Sequence, residues 1–316
     1  MSSGILSAIS FAKESTWGTP VTPTKSISVH TSDGLTVNRP AGFPTGIKGT
    51  LAKNNSGSYK KVASYSGEYE VDVIPGYAAY LFQSAIGTDT PTLIETGVYK
   101  HAFTETAAKS SLTVEQAQSE IVQRFAGVMA TGFKITAKTD EPIVVNFGLV
   151  AKSVTTATAI TPAYETANPL TFLGADLKIA TVSQPQAENI QVEYKNGLEL
   201  KTALNGSIDP SYNFVKPSEV TGSFDLYLDN TSAAQYTAYL NKTVQALSLT
   251  ITGSDLIGAT KFMGITVALP AVVYTAVKEP ISDDMNLISV NFEAILDQST
   301  GKLLNVDATN TLATLV

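Results

Sequence analysis

Residues 64–81 read SYSGEYEVDVIPGYAAYL and residues 219–236 read EVTGSFDLYLDNTSAAQY. Placed one above the other, Gly67 falls on Gly222, Tyr69 on Phe224, Glu70 on Asp225, Val71 on Leu226, Val73 on Leu228, and Ala78 and Ala79 on Ala233 and Ala234. The offset is the same at both ends, 222 − 67 = 155 and 233 − 78 = 155. Side chains of an extended chain point alternately to opposite faces, so the first part of each copy predicts a strand with one apolar and one polar side. The Ala- and aromatic-rich remainder predicts a short helix, opened by Pro75 in the first copy and capped by Asn230 or Thr231 in the second. Downstream, VVNFGLVAKS (144–153) and SVNFEAILDQS (289–299) share Val-Asn-Phe, with Val145 on Val290 at an offset of 290 − 145 = 145. The second copy is shorter between helix and last strand, and the loop TDTPTLIETG (88–97) accounts for the difference. Strand, helix, strands and final strand occur twice in one order, which predicts a structural duplication.

Outward from these copies, most segments alternate with period two and are rich in Val, Ile, Thr, Tyr and Phe, among them KSISVHTS (25–32), VYKHAFTE (98–105), GFKITAKT (132–139), NIQVEY (189–194) and LSLTITG (247–253). Gly, Pro, Asn and Asp clusters separate them, as they separate strands. TVEQAQSEIVQRFAGVM (113–129) fits strands and also a helical stripe of Val114, Ala117, Ile121, Phe125 and Val128; we read strands. The expected fold is mainly β, in two tandem copies, each with one short helix. The first covers residues 1–155, with an N-terminal arm and a long basic loop (38–62). A Thr/Ala/Pro-rich linker (156–172) follows, and the second domain covers 173–316.

The chain has 316 residues, 43% hydrophobic and 16% charged, enough for a sizeable core. A net charge of −7 argues against a protein that grips phosphate backbones through a basic patch. Without cysteine, disulfides, thiolate zinc sites, iron–sulfur clusters and cysteine nucleophiles are excluded. MSSGILSAISFAKES has no basic residue ahead of its short apolar run and is a poor secretory signal; ITVALPAVVYTAV (265–277) is too short to span a bilayer. A soluble, non-exported chain is expected.

A search for catalytic chemistry finds little. The chain lacks a nucleophile elbow, a phosphate-binding P-loop, a dinucleotide fingerprint and an EF-hand loop. His30 and His101 sit in strand-like segments with no spaced carboxylate beside them and read as ordinary strand residues. Asp283 and Asp284 read as a solvated turn. We expect no enzyme, no cofactor and no metal.

Two charged features remain. Glu68, Glu70 and Asp72 line one side of the first repeat strand; Asp225 and Asp229 keep the parity in the second, and Glu293 and Asp297 stand opposite Val290, Phe292, Ala294 and Leu296 in the final strand. On its own such a stripe is a solvated sheet face. The Gly-rich segment NRPAGFPTGIKGTLAKNNSGSYKK (38–61) carries Arg39, Lys48, Lys53, Lys60 and Lys61 in an otherwise acidic protein. It reads either as an arm reaching a negatively charged neighbouring subunit or as a solvated loop.

SFAKESTWGTPVTPTKSISVHTSDGL (10–35) resembles the opening of the major tail tube proteins of long-tailed bacteriophages, in which an E-T-x-G-T-P-V-T-P phrase precedes an early strand. Glu14, Thr16, Gly18, Thr19, Pro20, Val21, Thr22 and Pro23 stand in those places, with Ser15 and Trp17 between them. SGEYEVDV followed by AAYLFQSAIG is similar to that family's strand-then-helix unit, and GVYKHAFTET with SSLTVEQ looks like its next two strands. The second half fits through the repeat. The resemblance implies two tandem tail-tube-like β-sandwich or barrel domains, each with one short flanking helix, in a structural virion protein whose copies form rings around a lumen and stack into a tail tube for genome delivery. It implies six domains per ring, hence a homotrimeric pseudo-hexamer if each chain supplies two, or else a homohexamer. The lumen-facing candidates are Glu68, Glu70, Asp72, Asp225, Asp229 and Glu293, whose charge would repel DNA passing without specific binding. The basic loop becomes the ring-stacking candidate. Implied partners are further copies of the chain and tape measure, terminator and distal tail proteins, with no membrane; the implied location is the virion tail, assembled in the host cytoplasm. The alternative is a non-catalytic β-sandwich adhesion or carbohydrate-binding module, which would stay small and show an exposed aromatic patch.

Overall fold

The computed structural model describes residues 7–30, 34–43, 57–118, 120–229, 232–278 and 286–316. In chain order the first half has β1 (Ala8–Lys13), β2 (Lys25–Ile27), β3 (Thr36–Asn38), β4 (Ala41–Gly42), β5 (Tyr59–Lys60), β6 (Ser64–Asp72), α1 (Pro75–Ile86), β7 (Gly87–Glu95), β8 (Val98–Glu105), β9 (Leu112–Gln118), β10 (Ile121–Lys138), β11 (Val144–Val150) and β12 (Ser153–Thr156). The second half has β13 (Ala175–Ile179), β14 (Val182–Ser183), β15 (Ala187–Lys195), β16 (Leu198–Lys201), β17 (Tyr212–Val215), β18 (Glu219–Tyr227), α2 (Ala233–Leu240), β19 (Gln245–Leu256), β20 (Phe262–Lys278), β21 (Leu287–Ala294) and β22 (Asn305–Asn310). Among the described residues the protein is mainly β with two α-helices, and the segment open to both readings folds as the β9–β10 hairpin. Among the described residues no helix is long and apolar enough to cross a membrane.

The ladders are antiparallel and give each half the same order. In the first half it is β1–β9–β10–β11–β6–β3; in the second, β13–β19–β20–β21–β18–β15. β10 and β20 are long strands that share two irregularities at matching places, and the β19–β20 ladder has a further shift between Phe262 and Gly264. The ladder register shifts between Phe125 and Val128 and between Ala130 and Gly132; in β20 it shifts between Leu269 and Val272 and between Tyr274 and Ala276. All four β10 positions map onto β20 by adding 144. A bulge bends its strand, so the matched pairs bend both long strands alike. The registers also correct one alignment. Val71 pairs with Val145, and its counterpart Leu226 pairs with Ile288, so Val145 corresponds to Ile288 and the shared Val-Asn-Phe is displaced by two residues along the strand. A shift of two preserves which face each side chain occupies.

The match of Gly67 with Gly222 has a steric cause. A Cβ on Gly67 would lie 1.8 Å from the carbonyl oxygen of Gly34, and one on Gly222 would lie 2.3 Å from that of Gln191. In both copies the flanking strand approaches too closely for any side chain.

The inner face packs Tyr69, Val71, Phe133, Phe147, Tyr194, Phe224, Val290 and Phe292 into one buried cluster. Almost every residue of α1 is buried, as an apolar helix without a polar stripe must be. Its anchor is Phe82, edge-on to Phe133 and Phe147 with ring centroids 5.0 and 5.1 Å away. In α2 only Gln235 is buried, and it accepts a 2.7 Å hydrogen bond from Tyr274. The observed N-cap of α2 is Ser232; the expected Asn230 and Thr231 lie outside the described residues, as do Asp283 and Asp284.

The two halves share ladders: β10 pairs with β15 from Gly132↔Lys195 to Lys138↔Asn189, and β22 pairs with β8. Residues 156–172 bond to both halves: Asn168 donates to Asp255 in β19 from its N–H and Nδ2, both at 2.6 Å, and other residues bond to the first half. Tyr164 bridges to Ser26, Ile160 N–H donates to buried Glu115 at 2.9 Å, and Glu165 accepts from Tyr77 N–H at 2.8 Å in the first turn of α1. Ile74, at the N-cap, has no oxygen to offer, so a distant carboxylate satisfies that helix end.

Candidate functional site

The candidate site is a sheet face. The path β3–β6–β11–β10–β15–β18–β21–β20 is unbroken, with the C-terminal halves of β10 and β20 taking part. Residues opposed across a ladder share a face, so register alone assigns each side chain. One row crosses Glu70, Asn146, Lys134, Glu193, Thr221 and Glu293. The neighbouring rows add Asp72, Gln191 and Ser223, then Glu68, Lys195 and Glu219, then Lys138, Asn189 and Asp225. Five acidic candidates from both halves, Glu68, Glu70, Asp72, Asp225 and Glu293, therefore stand on one continuous polar surface. Asp229 lies beyond the end of β18, where its carboxylate accepts at 2.7 Å from the N–H of Ser232, the N-cap residue of α2.

Sequence reasoning overlooked part of this surface. Glu193 and Glu219 add two carboxylates, while Lys134, Lys138, Lys195 and Lys278 oppose them. The alternation of NIQVEY and GFKITAKT holds that information, but only the ladder between them puts both on one face. Lys195 bonds Glu193 at 2.8 Å. The face is thus mixed with an acidic surplus, seven carboxylates to four lysines.

His30 is also part of it. Its Nδ1 lies 2.9 Å from Glu70 Oε1 and its Nε2 lies 3.0 Å from Asp72 Oδ1. Both partners are acceptors, so the doubly protonated ring satisfies both. The hydrogen bond to Asp72 raises the His30 pKa most; burial opposes it, and Glu70 adds to it. The expectation of an ordinary strand histidine misses this bridge, because the carboxylates are forty positions away in the chain.

His101 is fully buried, with Nδ1 2.8 Å from Asp89 Oδ2 and Nε2 2.8 Å from the Leu312 carbonyl. Burial, the largest influence, lowers its pKa, but the Asp89 hydrogen bond and charge with the Leu312 and Asn310 contacts outweigh it, and the net shift is upward. A raised folded-state pKa gives stability that is complete below the ordinary value near 6.5 and lost as pH rises through the folded value. The melting-temperature advantage of the wild type over a non-titrating Asp89→Asn/His101→Gln variant is therefore expected to be largest near pH 6 and to shrink towards pH 9, measured by thermal denaturation. A gap independent of pH would contradict the buried cation.

Of the basic loop, Arg39 donates to the Tyr65 hydroxyl from Nε and Nη2 at 3.1 and 2.8 Å, and that hydroxyl donates to Asp209 at 2.6 Å. Lys60 and Lys61 are exposed at the base, where β4 and β5 form a two-stranded ribbon. Lys48 and Lys53 lie outside the described residues.

The phrase around Glu14 forms a buried clamp. One carboxylate oxygen accepts from Gly127 N–H and Thr113 Oγ1, the other from Gly18 N–H and Ser111 Oγ, all at 2.8 Å. Gly127 has φ +66° inside the β10 irregularity, and Trp17 Nε1 donates to its carbonyl at 3.2 Å. The turn at 14–18 thus locks the N-terminal strand to the bend of β10. Among the described residues no group of three or more His, Asp or Glu is arranged to hold a metal ion.

A family model described as phage tail tube protein matches residues 4–294. No curated protein matches the chain.

Proposed function

This chain belongs to the phage tail tube protein family, and from that premise we propose that it polymerises as stacked rings whose polar face lines a lumen for genome delivery. It is a structural component of the virion tail. The observation that carries the finer reading is the single polar face spanning both repeats. A free-standing sandwich needs no such continuity between its halves, whereas a wall around a channel does. On this reading residues 1–155 and 173–316 each occupy one of six places around the ring, joined by 156–172, and three chains close it. Three paths of eight strands give 24; at about 4.8 Å between strands and a tilt of about 35–45°, the backbone barrel is about 45–50 Å across. That exceeds the barrels whose interiors side chains fill.

The acidic surplus of the wall keeps phosphates from adhering, and Lys195 is held by Glu193. Stacking is a heterologous contact, which propagates as an open filament. The basic segment 38–62 supplies that contact to the acidic ring above or below. Tape measure, terminator and distal tail proteins are the proposed partners that set the ends of the tube, and assembly takes place in the host cytoplasm.

Negative-stain electron microscopy tests both levels. The purified wild type is expected to form rings and tubes, and deletion of residues 44–58 is expected to leave separate rings. A uniform monomer at high concentration under every salt condition would sink the ring reading. Tubes of normal length after the deletion would remove the loop from stacking.

A further inference from the structure

The β10–β15 seam inside the chain provides a template for contact between chains. β15 pairs with β18 as β3 pairs with β6: Tyr194↔Val220 corresponds to Val37↔Tyr65, so adding 157 takes β3 onto β15. The matched irregularities take β10 onto β20 by adding 144. In the first half, the C-terminal part of β10 has β11 on one edge and β15 on the other. In the second half, the corresponding part of β20 has β21 on one edge, and β19 leaves the other edge after Val272. No described ladder occupies that edge from Val273 to Lys278, and none occupies the edge of β3 facing away from β6.

We propose that these two open edges pair between chains, β20 of one copy with β3 of the next, antiparallel and in the register Val277↔Val37 and Lys278↔Thr36. The register is the internal Phe133↔Tyr194 and Lys134↔Glu193 carried over by the two offsets. Chemistry matches on both faces. Phe133 and Tyr194 are buried with ring centroids 5.4 Å apart, whereas Val37 and Val277 pack on the core with their outer sides half-exposed, as residues awaiting cover are. Lys278 and Thr36 fall on the polar face, which continues from chain to chain without a change of side. One difference sets where the ladder begins. A Cβ on Gly132 would lie 2.1 Å from Tyr194 O, and Ala276 stands in that position, so the interchain ladder starts at Val277. The contact is head-to-tail and removes both open edges when the ring closes.

This inference rests on the ring reading and adds a residue-level interface to it. The chain has no cysteine, so paired substitutions report directly. Val37→Cys/Val277→Cys and Thr36→Cys/Lys278→Cys are adjacent antiparallel pairs, one of which is the close, non-hydrogen-bonded kind suited to a disulfide. The two edges lie at opposite ends of an eight-strand path, roughly 34 Å apart along the sheet, so a link within one chain is out of reach. Oxidation of assembled material is expected to give covalent dimers and trimers on non-reducing gels. The shifted pairs Thr36→Cys/Ala276→Cys and Asn38→Cys/Lys278→Cys are expected to give about tenfold less. Rings by microscopy with no cross-link, or with equal cross-linking in the shifted pairs, would overturn the seam and leave the tube reading standing; a wild type that forms no rings would overturn both. Should the cysteine variants fail to assemble, hydrogen exchange on wild-type monomer and tube decides: the amides of Val37 and Val277, which alternation along each strand turns to the open edges, are expected to slow at least about tenfold on assembly, and unchanged exchange at both would overturn the seam.

Discussion

Replacing Glu68, Glu70 and Asp72 together by lysine is expected to leave rings and tubes assembling and to reduce genome delivery severely. Each substitution changes the charge by +2, so three take the chain from −7 to −7 + 6 = −1. In a ring of three chains this places nine lysines on the wall, 3 × 3, in three neighbouring rows along β6. A basic surface releases condensed counterions from DNA, and six to ten phosphate contacts make binding change by about 10³–10⁵ between 50 and 200 mM salt. The defect is therefore expected to be deep at low salt and to recover as salt rises, which separates adhesion from misfolding. The structure adds one requirement, because Glu70 and Asp72 hold His30. Two ammonium groups there would repel the imidazolium, so the reversal should be made with His30→Gln, beside a neutral control of Glu68→Gln, Glu70→Gln and Asp72→Asn. Ejection measured from particles at two salt concentrations checks the outcome. Unchanged ejection with the lysines in place would show that these side chains do not face DNA.

The parts of this fold legible in the sequence are those set by local geometry. Period-two alternation marked β6 and β18, and helical composition after Pro75 and around Ala233 marked α1 and α2. The repeat was legible because steric need fixes Gly67 and Gly222 in place. Register was not, since it is settled by ladders between distant strands, and the Val-Asn-Phe pairs coincide in type while standing two residues apart in space. The same limit applied to the polar face. Glu68, Glu70 and Asp72 announce themselves on one strand, but His30, Lys134 and Glu193 join them only through pairing. Asp229 shows the converse: parity placed it on the strand, and the chain had already turned into the entry of α2, where its carboxylate takes the Ser232 amide and its carbonyl the Ala233 amide. The contacts of 156–172 were likewise not legible in composition: Tyr164, Ile160 and Glu165 bind the first half and Asn168 binds the second.

Glu14→Ala is expected to be the most destabilising single substitution in the N-terminal arm, at about 3–5 kcal/mol. The carboxylate is buried and accepts four hydrogen bonds, two of them from backbone amides of glycines with positive φ, Gly18 and Gly127. Hydroxyls of Ser111 and Thr113 can rotate towards other acceptors; the amides cannot, and each buried amide left without a partner costs about 1–3 kcal/mol. Glu14→Gln keeps the shape and one accepting oxygen but turns an amide group towards two donors, so about 2 kcal/mol is expected there. Urea denaturation should rank the wild type above Glu14→Gln and Glu14→Ala below both. A loss under about 1 kcal/mol for Glu14→Ala would mean that the clamp is solvated or replaceable. Because Gly127 lies in the irregularity that bends β10, loosening the clamp should also soften the bend that aims the C-terminal half of β10 at β15. The surviving Glu14→Gln protein is therefore expected to exchange the β10–β15 amides faster than the wild type, while the equivalent bend in β20, remote from Glu14, stays unchanged.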